Sequence, residues 1–121
     1  MIADPLDFAR AHVRPRSLCS DVIVAWIEAH GVAVSIGPVG QLRFWKEQGV
    51  LRGAVEAGRI IGLPEIAPSL ARDGDIAVAT LPHGEQALGL MRANRFVTAA
   101  SGQVAIYSHG IVKAWSIPCP N

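Results

Sequence analysis

From Asp73 onward the chain is cut into short apolar runs by turn-forming residues at nearly every step, and this most narrows what it can fold into. Ile76–Ala79 follows Asp73-Gly74, Ala87–Met91 follows Pro82-His83-Gly84, and Phe96–Ala99 follows Ala93-Asn94. Val104–Tyr107 then follows Ser101-Gly102, and Ile111–Ile117 follows His109-Gly110. Each run has strand length and each break carries turn chemistry. Parallel neighbours need a crossover of about a dozen residues or more, so connections this short predict an antiparallel five-strand meander. Twist would leave one face of that sheet to be covered by helices.

The first half has helical texture. Asp4 is a natural N-cap, Pro5 suits the first helical position, and Asp7 complements the positive end of the dipole; this helix runs to about Val13, before the break at Pro15. Ser17 is the expected N-cap of a second helix, in which Cys19, Val22, Ile23, Trp26 and Ile27 share one face and Gly31 is the stop. Val32–Val39, broken by Gly37 and Pro38, reads as a loop or short edge strand. Two further helices are expected at Leu42–Gln48 and Leu51–Ala57, stopped by Gly49 and Gly58, with Gly62–Pro68 as a connector. The predicted class is therefore α+β: helices over 1–62 on a sheet over 73–117, forming one domain across 1–121.

Composition removes several functional classes. With 121 residues, half of them apolar and 17% charged, the chain can bury a core and is not of disordered type. A net charge of +1 with no basic face argues against a nucleic-acid partner. No apolar run approaches the ~20 residues that span a bilayer, and Met1–Pro5 lacks a signal peptide's basic start. Cys19 and Cys119 are the two cysteines, and a cytosolic setting argues against a disulfide between them. Together with four dispersed histidines they make no zinc pattern, and no cofactor is expected.

A cysteine in the first turn of a helix, followed by a small antiparallel sheet, is a known chemical arrangement. The helix dipole favours thiolate, a histidine on the sheet can take the proton, and a third polar group orients the histidine. Ser17-Leu18-Cys19-Ser20-Asp21-Val22-Ile23 resembles the cysteine-bearing helix start of the NlpC-type branch of papain-like cysteine peptidases. Asp73-Gly74-Asp75-Ile76-Ala77-Val78 is similar to that branch's Gly-Asp step into its first strand. Ala87-Leu88-Gly89-Leu90-Met91 resembles its second strand, whose pattern is His-Val-Gly-Ile-Tyr. The chain is closer still to a phage-encoded family of unknown function on this plan, through Gly49–Gly53 and Ala114-Trp115-Ser116-Ile117 as well. Genes of that family typically lie among phage tail genes. The likeness covers about residues 17–117.

The departures shape what the resemblance implies. Aligning Gly89 with the family's glycine puts Ala87 where the catalytic histidine belongs, and the third polar position falls near Thr98 or Ala99. Leu18 stands where the phage family commonly has aspartate. Cys19 is thus either a nucleophile or a small buried apolar residue. His83 and His109 are candidate bases displaced into turns, or solvent-exposed turn residues. His12 and His30 sit near helix ends, where the dipole favours them. Trp26, Trp45 and Trp115 either form a ligand platform or fill the core, the latter being the reading for Trp26. Arg14 and Arg16 are anion ligands or solvated loop charges. Gly37-Pro38-Val39-Gly40 lacks the lysine of a phosphate loop.

Three functions follow. The first is a structural or assembly component of a phage tail tip, with an inactive NlpC-like domain. Its partners would be other phage tail proteins, and it would sit in the host cytoplasm during assembly and then in the virion tail. The second is a cysteine hydrolase cutting peptidoglycan peptide or amide bonds, with Cys19 as nucleophile, His83 or His109 as base, and backbone N–H groups at the helix start as oxyanion donors. The third is a peptide or small-molecule binding module reusing the former cleft.

Overall fold

The computed structural model describes residues 4–32, 34 and 38–117, with side chains described outside 38–48. Three helices, α1 (Pro5–His12), α2 (Cys19–Ala29) and α3 (Pro38–Ile61), precede strands β1 (Glu65–Ile66), β2 (Ile76–Thr80), β3 (Gln86–Arg92), β4 (Arg95–Ala100), β5 (Gln103–Tyr107) and β6 (Ile111–Trp115). The class is α+β, as expected, but the antiparallel sheet has six strands, not five. The extra strand comes from the stretch read as a connector, where Glu65 and Ile66 pair with Trp115 and Ala114.

Local chemistry sets the helix ends. Asp4 caps α1 by accepting from the Leu6 N–H at 2.9 Å, with Pro5 as the first helical residue. Ser17 is not the N-cap of α2. That position is Leu18, whose own N–H donates to Asp21 Oδ2 at 2.8 Å, while Ser17 Oγ accepts from the Arg14 N–H at 2.9 Å. The two helices expected beyond residue 42 are present on either side of Gly49, whose non-helical φ +79 and ψ 166 kink the continuous run called α3. It already includes Pro38, so the loop reading of Val32–Val39 fails there; residues 33 and 35–37 lie outside the described residues. Gly58 does not stop α3. A Cβ there would lie 2.9 Å from Trp115 Nε1, so this glycine serves close packing of helix on sheet. The helix ends instead at Gly62, with φ +89, whose N–H donates to Gly58 O at 2.9 Å.

The sheet order is β1-β6-β2-β3-β4-β5, so the meander fails at its last step. β6 follows β5 after three residues yet pairs with β2. In a flat sheet β5 and β6 would be four spacings of about 4.8 Å apart, roughly 19 Å. The four Cα steps from Tyr107 to Ile111 reach at most about 14 Å. The sheet is therefore rolled. Its face away from the helices closes on a cluster of Ala77, Ala79, Ala87, Ala114, Met91 and Phe96. Four alanines keep that interior narrow enough for the curl. At the crossing the Thr80 N–H donates to Gly110 O at 2.8 Å, and a Cβ on Gly110 would lie 2.3 Å from Thr80 O. The other face carries the main core, in which Leu6, Phe8, Ile23, Trp26 and Ile27 of the helices meet Ile76, Val78, Leu88, Leu90, Val97 and Trp115. No described helix is long and apolar enough to cross a membrane.

Candidate functional site

Cys19 is the first residue of α2, where the resemblance expects a reactive thiol. It is half-buried and packs on the main core. Burial pushes the thiol above its ordinary value of 9.0, and the Asp21 carboxylate adds to the rise; the backbone N–H groups of Leu88, Cys19 and Ser20 pull the other way without prevailing. Asp21 thus has two effects. It satisfies the Leu18 N–H at the helix start, and it sets a negative charge against the thiolate that start would otherwise favour.

The place where the sulfur meets the sheet has a particular construction. Met91 donates its N–H to Asp75 O at 2.8 Å, on the β2 side, so alternation turns the backbone groups of Leu90 and Leu88 toward β4. Leu90 pairs there with Val97, and the β3–β4 register extends through Met91↔Phe96 to Arg92↔Arg95. No such pair is formed at Leu88. Its carbonyl accepts from Thr98 Oγ1 at 2.9 Å, and its N–H faces the Cys19 sulfur. A hydroxyl and a thiol thus occupy the gap where β3 and β4 separate. Of the two positions at which the resemblance puts the third polar group, Thr98 bonds the Leu88 carbonyl and Ala99 lies in the main core. Sequence reasoning missed Leu88, whose part is played by backbone and leaves no mark in the sequence.

Strand alternation also relocates Ala87. Leu88 and Leu90 belong to the helix-covered core, whereas Ala87 and Met91 belong to the cluster inside the roll. A side chain at 87 therefore lies on the opposite face of β3 from Cys19. The same parity explains Gly89: a Cβ there would lie 2.3 Å from Val97 O and 2.7 Å from the Phe96 ring.

The histidines take other partners. His83 Nε2 lies 3.3 Å from Glu85 Oε2 in the exposed β2–β3 turn. His109 is exposed and lines an open cleft with Thr80, Pro82, Tyr107 and Ser108. His12 and His30 place Nδ1 against the carbonyls of Phe8 and Trp26, at 2.9 and 2.7 Å. Among the described residues no imidazole is a hydrogen-bond partner of Cys19, and no three His, Cys, Asp or Glu side chains cluster to hold a metal. Cys119 lies outside the described residues, as does the side chain of Trp45.

The remaining motif residues are structural. Trp26 is buried, donates from Nε1 to Gly74 O at 2.8 Å, and meets the rings of Phe8 and His30 at 4.9 and 4.4 Å. Asp75 of the Gly-Asp step is 5% exposed; its Oδ2 accepts from the Arg72 N–H and its Oδ1 from the Ile117 N–H, at 2.8 and 3.2 Å. Arg14 Nη1 donates to Ala11 O at 2.9 Å, so it closes the end of α1. Beside Cys19 a small apolar cavity of about 50 Å³ is lined by Ser20, Ile23, Ile27, Ala54, Leu88 and Trp115. It is too small for a drug-sized ligand, whose sites occupy about 300 Å³ or more.

No family model, no curated protein and no solved structure matches this chain.

Proposed function

We propose that the chain is a non-catalytic, papain-like domain of NlpC type that serves as a structural or assembly component of a phage tail tip. The observation that carries the inactive reading is the surroundings of Cys19. Its thiol is raised by burial and by Asp21, and the sheet offers it the Leu88 backbone rather than an imidazole. Without a positioned base a cysteine hydrolase forgoes roughly 10²–10⁴-fold in rate. The tail assignment rests on the sequence likeness alone. Support for the papain-like plan comes from the cysteine at the start of a helix laid on β3, and from a Gly-Asp step leading into β2.

Two experiments test the two halves. Iodoacetamide labelling of Cys19 between pH 5 and 9 should show slow reaction that climbs toward the alkaline end. A plateau of fast reaction from neutral pH downward, together with release of peptides from purified peptidoglycan, would restore the hydrolase. Mass spectrometry of purified particles from the source strain should find the chain in the tail fraction; its absence from intact particles overturns the assembly role.

A further inference from the structure

We infer that the outer edge of β5 is a self-association site that takes a second copy of this chain as an antiparallel strand. This goes beyond the reading above and does not depend on it. β5 ends the sheet, and its register with β4 continues unbroken through five pairs from Phe96↔Tyr107 to Ala100↔Gln103. Alternation fixes which groups face outward. Leu90 turns toward β4, so its partner Val97 turns toward β3 and the next residue, Thr98, toward β5. Thr98 pairs with Ala105, whose backbone groups therefore face inward. Those of Val104 and Ile106 face away from the sheet, and they take no hydrogen-bond partner among the described residues.

Native sheets blunt such edges with lysine, proline, bulges or very short strands. β5 has none of these. No Asp, Glu, Lys or Arg occurs between Arg95 and Lys113, and Ile106 is 44% exposed. The opposite edge is protected: β1 has two residues between Pro64 and Pro68, and Glu65 pairs with Lys113 at 3.0 Å. A head-to-tail chain of sheets through β5 and β1 is therefore disfavoured, and closure about a two-fold axis is left.

The edge is complementary to itself. With the axis at Ala105, Val104 and Ile106 of one copy exchange both backbone bonds with Ile106 and Val104 of the other, giving four hydrogen bonds. That register sets Val104 against Ile106 on the helix-covered side of the sheet and covers the exposed isoleucine. An uncharged edge meets an uncharged edge, with no like charges opposed. A five-residue strand buries less than the roughly 1,200 Å² of a standard interface, so the dimer is weak and forms at high local concentration.

Sedimentation equilibrium from micromolar to millimolar protein should show monomer passing to dimer and no further. Amide exchange at Val104 and Ile106 should slow with concentration while the β6 amides do not change. Ile106→Lys places a charge on the edge, and Ile106→Pro removes one outward N–H without touching the β4 ladder. Each should raise the dimer dissociation constant at least about tenfold, the equivalent of ~1.4 kcal/mol. A protein monomeric throughout the range overturns the inference, and so does a dimer whose Val104 and Ile106 amides exchange at a concentration-independent rate. The exchange measurement on the unsubstituted chain decides the matter if either variant fails to fold.

Discussion

The indole of Trp26 and the carbonyl of Gly74, forty-eight residues apart in sequence, are joined by a buried 2.8 Å hydrogen bond. A Cβ on residue 74 would lie 3.1 Å from the same ring, and Gly74 holds φ +90, so the turn leading into β2 is shaped around α2. Trp26→Phe removes the donor and part of the packing while leaving a buried carbonyl unpaired. The expected loss is about 2–4 kcal/mol, read from urea unfolding monitored by circular dichroism.

Two glycines separate steric need from conformational need. Gly89→Ala drives a Cβ into the Val97 carbonyl and the Phe96 ring and should cost about 3 kcal/mol or more. Gly84→Ala meets nothing within 4 Å but holds φ +94, and should cost only about 1–2 kcal/mol. Thermal melts of the two variants side by side should rank them in that order.

Asp75 ties the turn before β2 to the chain beyond β6 through the N–H groups of Arg72 and Ile117. Asp75→Asn keeps the shape but presents an amide NH₂ to one of two backbone donors. Loss of a charge-assisted acceptor should cost about 1.5–3 kcal/mol. The Ile117 amide should exchange faster in the variant, even under conditions where the rest of the sheet stays protected.

Asp4 accepts both from the α1 N-terminus and from Arg92 Nε, at 2.9 Å to each carboxylate oxygen. Burial is the largest single influence and raises its pKa, but the Arg92 bond, the Leu6 and Asp7 N–H groups and the Arg92 charge together outweigh it and leave the group below its ordinary 3.8. A lowered folded-state value means stability that is present above 3.8 and lost as the pH falls through the folded value. Asp4→Asn retains a good N-cap but removes both the titration and the charge that holds Arg92. The acid limb of its stability curve should therefore flatten: the variant lies below the parent at neutral pH and meets it at low pH, as urea unfolding across the pH range would show.

Cys19 has the opposite sign. Its folded-state value is raised, so its contribution is full below 9.0 and falls as the pH rises through the folded value. Cys19→Ser should lose that alkaline dependence. The hydroxyl also leaves the Leu88 N–H facing a harder acceptor, and the variant should still fold. Stability measured by guanidinium titration from pH 7 to 10 decides this.

Much of the fold was legible because its signals are local. Proline after aspartate marked α1, apolar spacing marked α2, and the turn residues bounded β2 through β6 within a residue or two. What escaped was long-range. Gly58 looked like a helix stop because its purpose is Trp115, fifty-seven positions on. β6 was assigned to the nearest strand because a three-residue link says nothing about a sheet rolled enough for it to cross. At the site, Cys19 was found by its place at a helix start. The aligned position Ala87 proved to face the other side of β3, since an alignment letter does not carry parity. Asp21 was overlooked in favour of Ser17, although it stands three residues after Leu18, the spacing at which a side chain reaches back to a helix start.

The late arrival of β6 bears on how this chain is made. β2 is the sheet's most sheltered strand, with Ala77, Val78 and Ala79 wholly out of solvent, yet one of its two flanks is supplied by the last of the sheet's strands to leave the ribosome. Until residue 111 is synthesised, a nascent chain displays a bare, uncharged ribbon of Ile-Ala-Val-Ala-Thr. A messenger truncated just before that codon would yield a product that clumps rather than a shorter working protein.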